Sequence, residues 1–122
     1  MNITSIGTSY TPLRSFQSFG MKINPSAEKI INDAKDFCNS IPRGKRSLNK
    51  RLLNQALSII KKHNPKNTLD INYNKNSRKA EMLENGKIFF TNYCDDALQV
   101  VKHGAMFLDS KFRDKCFNLN SL

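Results

Sequence analysis

The chain has 122 residues, 39% of them hydrophobic, and its 20 Lys and Arg against 10 Asp and Glu give a net charge of +10. This length fits one domain with a single core, and eight Phe with three Tyr exclude a wholly disordered protein. Three widely spaced cysteines exclude a dense disulfide framework, and no apolar run is long enough for a membrane span or the centre of a Sec signal peptide.

Residues 1–22 are expected to form a flexible leader. This stretch contains no acidic residue, and Gly7 and Pro12 interrupt any helical period within it. A single domain is expected over residues 23–117. The C-terminal segment 118–122 is short and polar, so we expect it to fray.

Two amphipathic helices are predicted after the leader. Asn24–Pro25 supplies an N-cap and a first-turn proline, and apolar residues then recur at offsets of three and four. Pro42 and Gly44 end the first helix. The second helix is capped by Ser47 and ends before Pro65. A connection this short predicts an antiparallel helical hairpin.

Three antiparallel strands are predicted next. Leu69, Ile71 and Tyr73 alternate with polar residues, which is typical of a strand with one buried face. Asn85–Gly86 lies between two further apolar stretches, and this dipeptide favours a tight hairpin turn.

A third helix closes the predicted domain. Asp95 and Asp96 are placed to cap it, and Gly104 is a position at which it could split in two. The predicted fold is therefore α+β: a helical hairpin, a three-stranded antiparallel sheet and a C-terminal helix, in the order α-α-β-β-β-α.

A basic segment is the main candidate for a binding surface, since no acidic residue lies between Asp36 and Asp70. Such a surface is suited to phosphates, to an acidic protein surface or to anionic lipid head groups. The alternative is a solvated helix face that binds nothing. The candidate binding residues are Arg43, Lys45, Arg46, Lys50, Arg51, Lys61, Lys62 and Lys66.

A Cys–His nucleophilic site is considered at the start of the third helix. Cys94 lies where a helix dipole lowers a thiol pKa, but Asp95 and Asp96 oppose that effect. His103 is about two and a half turns further on and is expected to face elsewhere unless the helix bends at Gly104. No catalytic residue is assigned, and Cys94 is expected to pack in the core.

Metal and cofactor sites are not predicted. The glycines are scattered and form no phosphate-binding loop, so no cofactor is expected. No metal is expected either, and the sequence favours a non-enzymatic role. No close pair of zinc ligands occurs among Cys38, His63, Cys94, His103 and Cys116.

The chain resembles the small basic ribonuclease toxins of bacterial toxin–antitoxin pairs. The likeness lies in its size, its charge and its predicted helical hairpin followed by antiparallel strands. That resemblance implies ribonuclease activity, which in those toxins depends on basic or acid–base side chains projecting from the sheet. The predicted strands here carry Asn72, Tyr73, Lys87 and Tyr93 rather than a set of Arg and His.

The leader resembles the N-terminal signals of bacterial type III secreted effectors in composition, because it is rich in Ser and Thr, free of acids and without a cleavable apolar core. This resemblance implies export into a host cell. A mitochondrial targeting segment shares this character but carries more Arg than Arg14 alone.

These observations predict a small basic binding protein, a translocated virulence effector that leaves the cell by a non-Sec route and engages a host protein or acidic surface without catalysis. The alternative is a cytoplasmic nucleic-acid-binding protein with the basic hairpin on the phosphate backbone. A ribonuclease-type toxin is a further alternative, and an anionic membrane surface is a further partner.

Overall fold

The structure is a computed structural model that describes residues 20–120, with the side chains of residues up to 118. Residues 1–19, and with them most of the predicted leader, lie outside the described residues, as do residues 121 and 122. In chain order the elements are β1 (Lys22–Ile23), α1 (Pro25–Ser40), α2 (Arg43–His63), β2 (Thr68–Tyr73), β3 (Lys79–Glu84), β4 (Lys87–Tyr93), α3 (Ala97–Leu108) and α4 (Ser110–Asn120).

The α+β class agrees with the sequence prediction, but the sheet has four strands and is mixed. Strands β2, β3 and β4 form the antiparallel meander expected from the sequence, and β1 adds a parallel strand beside β2. The prediction of three strands was wrong because β1 has two residues, too few to show an alternating pattern.

Strand β1 is joined to the rest of the fold through its backbone. The Met21 amide donates to the carbonyl of Lys61 at 2.7 Å, and the Lys22 amide donates to the carbonyl of Asn67 at 3.0 Å. The Met21 side chain is buried. Met21 and Lys22, which the sequence analysis assigned to the leader, are thus part of the folded domain.

The start of α1 is fixed to β2 by polar side chains. Asn24 occupies the N-cap position, but its side chain makes no capping hydrogen bond and donates instead to Asp70 Oδ2 at 3.1 Å. Ser26 Oγ donates to Asp70 Oδ1 at 2.8 Å and accepts from the Ile71 amide at 3.3 Å. One carboxylate therefore holds the first turn of α1 against the sheet.

Helix α2 begins earlier than the sequence indicated. Its N-cap is Pro42, not Ser47, and residues 43–46 form its first turn rather than a loop. Proline suits this boundary because it disfavours a helical conformation at the preceding residue, and Ile41 is extended with φ −72° and ψ 145°. The expected end of α2 before Pro65 is confirmed.

The C-terminal helix is divided, although not at Gly104. Helix α3 runs through Gly104 and ends before Asp109. The Asp109 side chain accepts from the amides of Lys111 at 2.9 Å and Phe112 at 3.1 Å, which is the pattern of a helix N-cap. Helix α4 then extends to Asn120, beyond the domain end predicted at residue 117.

Helix α3 is the centre of the core, since it contacts α1, α2, α4 and β4. It approaches the sheet closely at Gly104, where an added Cβ would overlap Sδ and Cε of Met82, a fully buried side chain. The same Cβ would lie 3.9 Å from Ile60 of α2. Among residues 20–120, no helix combines the length and apolar character needed to cross a bilayer.

We expect Gly104→Ala to lower the free energy of unfolding by about 1–2 kcal/mol, because the added methyl must displace Met82 in a closely packed core. Chemical denaturation measures this change. Gly44→Ala is the matched control: Gly44 is also helical, but its added Cβ meets nothing within 4 Å, so it should leave stability unchanged or raise it by up to about 1 kcal/mol. Equal effects at both positions would contradict the close approach of α3.

Candidate basic groove

A groove runs between α1 and α2 on the surface of the domain. It consists of two adjoining cavities of about 250 and 380 Å³, which share Lys35 and Asn54. No acidic residue lines either cavity. The lining residues are Lys35, Cys38, Asn39, Lys50, Leu53, Asn54, Leu57, Ser58, Lys61 and Lys62.

The spacing of these residues along the two helices explains why they line the groove. Residues three and four apart share a helix face, so Lys50, Asn54 and Lys61 project from one side of α2, and Lys35 and Asn39 project from one side of α1. Asn39 shares a cavity only with residues in the N-terminal half of α2, whereas Lys35 also shares a cavity with Lys61. The two helices are therefore antiparallel along the groove.

Three of the eight predicted binding residues line the groove, namely Lys50, Lys61 and Lys62. Arg51 is exposed on α2 outside the cavities, and Lys66 is exposed in the turn that follows the helix.

The remaining predicted residues occupy the first turn of α2. Arg43 and Lys45 are exposed there. Arg46 is half-buried, and its Nε and Nη2 donate to the Ile41 carbonyl at 3.3 and 3.1 Å. This side chain closes the connection between the two helices, so its donors are committed to the fold.

Lys35 and Asn39 were missed by the sequence analysis, which treated only the basic segment of the second helix as a surface. The signal that could have found them is their i, i+4 spacing on α1, on a face adjacent to Cys38. Pairing the polar stripes of both predicted helices would have placed Lys35 opposite Asn54.

The groove lysines have no neutralising partner within the described part of the chain. Helix α2 contains no acidic residue, and the ion pairs formed among residues 20–118 involve other side chains, such as Arg78 with Asp95. Several like charges along one groove repel one another, and a bound anion would offset that repulsion. The arrangement is therefore suited to a ligand with repeated negative charges.

Cys94 and His103 lie close together, contrary to the sequence expectation. The distance from Cys94 Sγ to His103 Nδ1 is 3.7 Å, and α3 reaches this geometry without a break at Gly104. The expectation was wrong because Cys94 precedes the first turn of α3, so the helical period that places His103 does not apply to it. Asn92 Nδ2 lies 3.3 Å from the same ring nitrogen.

The electrostatics of this pair oppose nucleophilic chemistry. Burial, together with the carboxylates of Asp96 and Asp95, raises the pKa of Cys94 to about 11. Burial and the Lys102 ammonium lower the pKa of His103. At neutral pH the pair is thus a thiol and a neutral imidazole, not the thiolate and imidazolium of an activated cysteine.

Other titratable groups are used in packing. The His63 ring stacks on Phe89 with centroids 6.2 Å apart, and its Nε2 is 3.9 Å from Glu84 Oε1. The Tyr73 hydroxyl donates to the Cys94 carbonyl at 2.8 Å. Over residues 20–118, His, Cys, Asp and Glu side chains do not gather in any group of three suited to a metal ion.

We expect Cys94 in the folded protein to react with iodoacetamide at pH 7.5 at least about a hundredfold more slowly than in the unfolded chain. Raising a thiol pKa by about two units reduces the thiolate fraction by that factor, and burial slows access further. Peptide mapping by mass spectrometry at timed intervals measures the rate, with denatured protein as the control. Comparable rates in the two states would restore Cys94 as a candidate nucleophile.

Comparison of the chain with protein families, with curated proteins and with solved structures finds no match.

Proposed function

We propose that this protein binds nucleic acid through its phosphates, without catalysis, in the groove between α1 and α2. The observation that carries the proposal is the pairing of Lys35, Lys50 and Lys61 with amide and hydroxyl side chains in one acid-free groove. Lysine, asparagine and serine side chains are among the usual donors to phosphate oxygens.

The composition of the groove favours phosphates over an acidic protein. Cores of protein–protein interfaces are depleted in Lys and enriched in Tyr, Trp and Phe. The groove has four lysines and no aromatic side chain. Its apolar residues, Leu53 and Leu57, are buried or half-buried and offer little area to an interface anchor.

We expect binding to a nucleic acid to weaken by about a thousandfold between 50 and 200 mM salt, as for about six neutralised phosphates. Fluorescence anisotropy with a labelled oligonucleotide measures this slope. Replacing the exposed Lys50, Arg51, Lys61 and Lys62 by Gln should lower the affinity more than a hundredfold at 0.1 M salt. Lys75→Gln, in the exposed turn between β2 and β3, is the control and should change it less than twofold.

Polyglutamate serves as the probe for an acidic polypeptide in the same experiment. Binding to polyglutamate with no binding to nucleic acid at 50 mM salt would replace this proposal with the acidic-protein alternative. All the substituted side chains are exposed, so we expect each variant to fold. Circular dichroism of each variant checks that the fold is retained.

A second proposal concerns export and is carried by the composition of the leader alone. We propose that residues 1–22 direct type III secretion, because they are rich in Ser and Thr, acid-free and without an apolar core. Nucleic-acid binding and export are compatible, since the groove is formed by other residues. On this proposal the protein acts as an effector inside a host cell.

We expect a reporter fused behind residues 1–25 to be exported by a strain with an active type III apparatus. The same fusion in a strain without the secretion ATPase, and the reporter alone in the active strain, are the controls. Immunoblotting of culture supernatant and cell pellet measures the exported fraction. Retention of the fusion in the active strain would remove the support for an effector role.

A further inference from the structure

Helix α2 separates two grooves. The first is the basic groove shared with α1. The second, a cavity of about 320 Å³, lies between α2 and α4 and is also bordered by lysines. Ser58 lines both, so it lies on the ridge between them. The lining residues of the second groove are Gln55, Ser58, Ile59, Asp109, Lys111, Phe112 and Lys115.

We infer that α2 enters the major groove of double-stranded DNA, with one phosphate strand along each flanking groove. This inference rests on the proposed function and specifies its ligand. On the first side the phosphates meet Lys35, Lys50 and Lys61, and on the second side they meet Lys111 and Lys115.

The dimensions of α2 fit this arrangement. A helix with its side chains is about 10–12 Å across, and the major groove of B-DNA is about 12 Å wide. The Cα atoms of Lys50 and Lys61 are separated by about 16 Å along the helix axis, so their side chains would contact different phosphates of one strand.

The second groove is held in position by a contact between the two helices. Lys115 Nζ donates to Gln55 Oε1 at 3.1 Å, and Phe112 is buried beneath. Asp109 also borders this groove, but its side chain accepts from two amides at the start of α4. That carboxylate is therefore directed into its own helix cap.

Other forms of nucleic acid fit the ridge less well. The major groove of an RNA duplex is deep and narrow and does not admit a helix. A single strand is usually held by stacking of its bases on aromatic side chains, and neither groove offers an exposed aromatic ring. Two lysine-bordered grooves also exceed what one strand requires.

Competitive anisotropy with a 20-base-pair DNA duplex, an RNA duplex of the same sequence and the separate DNA strands tests the inference. We expect the DNA duplex to bind at least tenfold more tightly than either competitor at 0.1 M salt. Lys35→Gln and Lys111→Gln should each weaken duplex binding about eightfold and reduce the salt slope by about 0.9. Lys75→Gln is again the control.

Methylation of guanine N7 by dimethyl sulfate reports directly on the major groove, where this atom lies. The bound protein should protect N7 in the duplex, and Ser58→Asp, which puts a carboxylate on the ridge, should remove that protection and weaken binding at least about eightfold. Reactive N7 atoms together with an inert Lys111→Gln variant would overturn the inference while leaving phosphate binding intact. Failure to bind any of the nucleic acids at 50 mM salt would overturn the proposed function itself.

Discussion

The arrangement of the helices depends on the close approach of α3 to the sheet at Gly104. Because this residue has no side chain, Met82 fills the space and α3 lies against β3 and Ile60 of α2. Helix α3 in turn contacts both α1 and α2, so it sets the separation of the two helices on the outer surface. The groove is thus a consequence of packing on its inner side. No ion pair across the groove is needed to keep the two helices in place.

Two further constraints orient the same helices. The Asp70 carboxylate ties the first turn of α1 to β2 through Asn24 and Ser26, while the Arg46 guanidinium closes the connection from α1 to α2. Both are polar contacts at helix ends, where backbone groups lack partners within the helix. A basic residue of this segment can therefore stabilise the fold or bind a ligand. Only the three-dimensional structure distinguishes these two roles.

The helices and the strand meander were predictable because apolar residues repeat at a regular spacing over several residues of each element. Strand β1 was not, since a two-residue parallel strand is created by tertiary pairing with Thr68 and Leu69 rather than by local pattern. The groove was predictable on α2, where charge is concentrated, but not on α1, where Lys35 stands among acidic neighbours in sequence. Likewise, spacing along a helix could not reveal the Cys94–His103 contact, because Cys94 lies outside that helix.

The pairing of β1 also has mechanical consequences. Asn24 and Asp70 are 46 residues apart, so this contact closes a large loop and loses considerable chain entropy on forming. Among the described residues, a force applied from the N-terminal side acts first on β1, which is held by backbone hydrogen bonds that include those from Met21, Lys22 and Asn24. Once the strand detaches, the next contact along the chain is the tie from Asn24 and Ser26 to Asp70. A pull on this end of the described domain would therefore load a two-residue strand before it loads any helix.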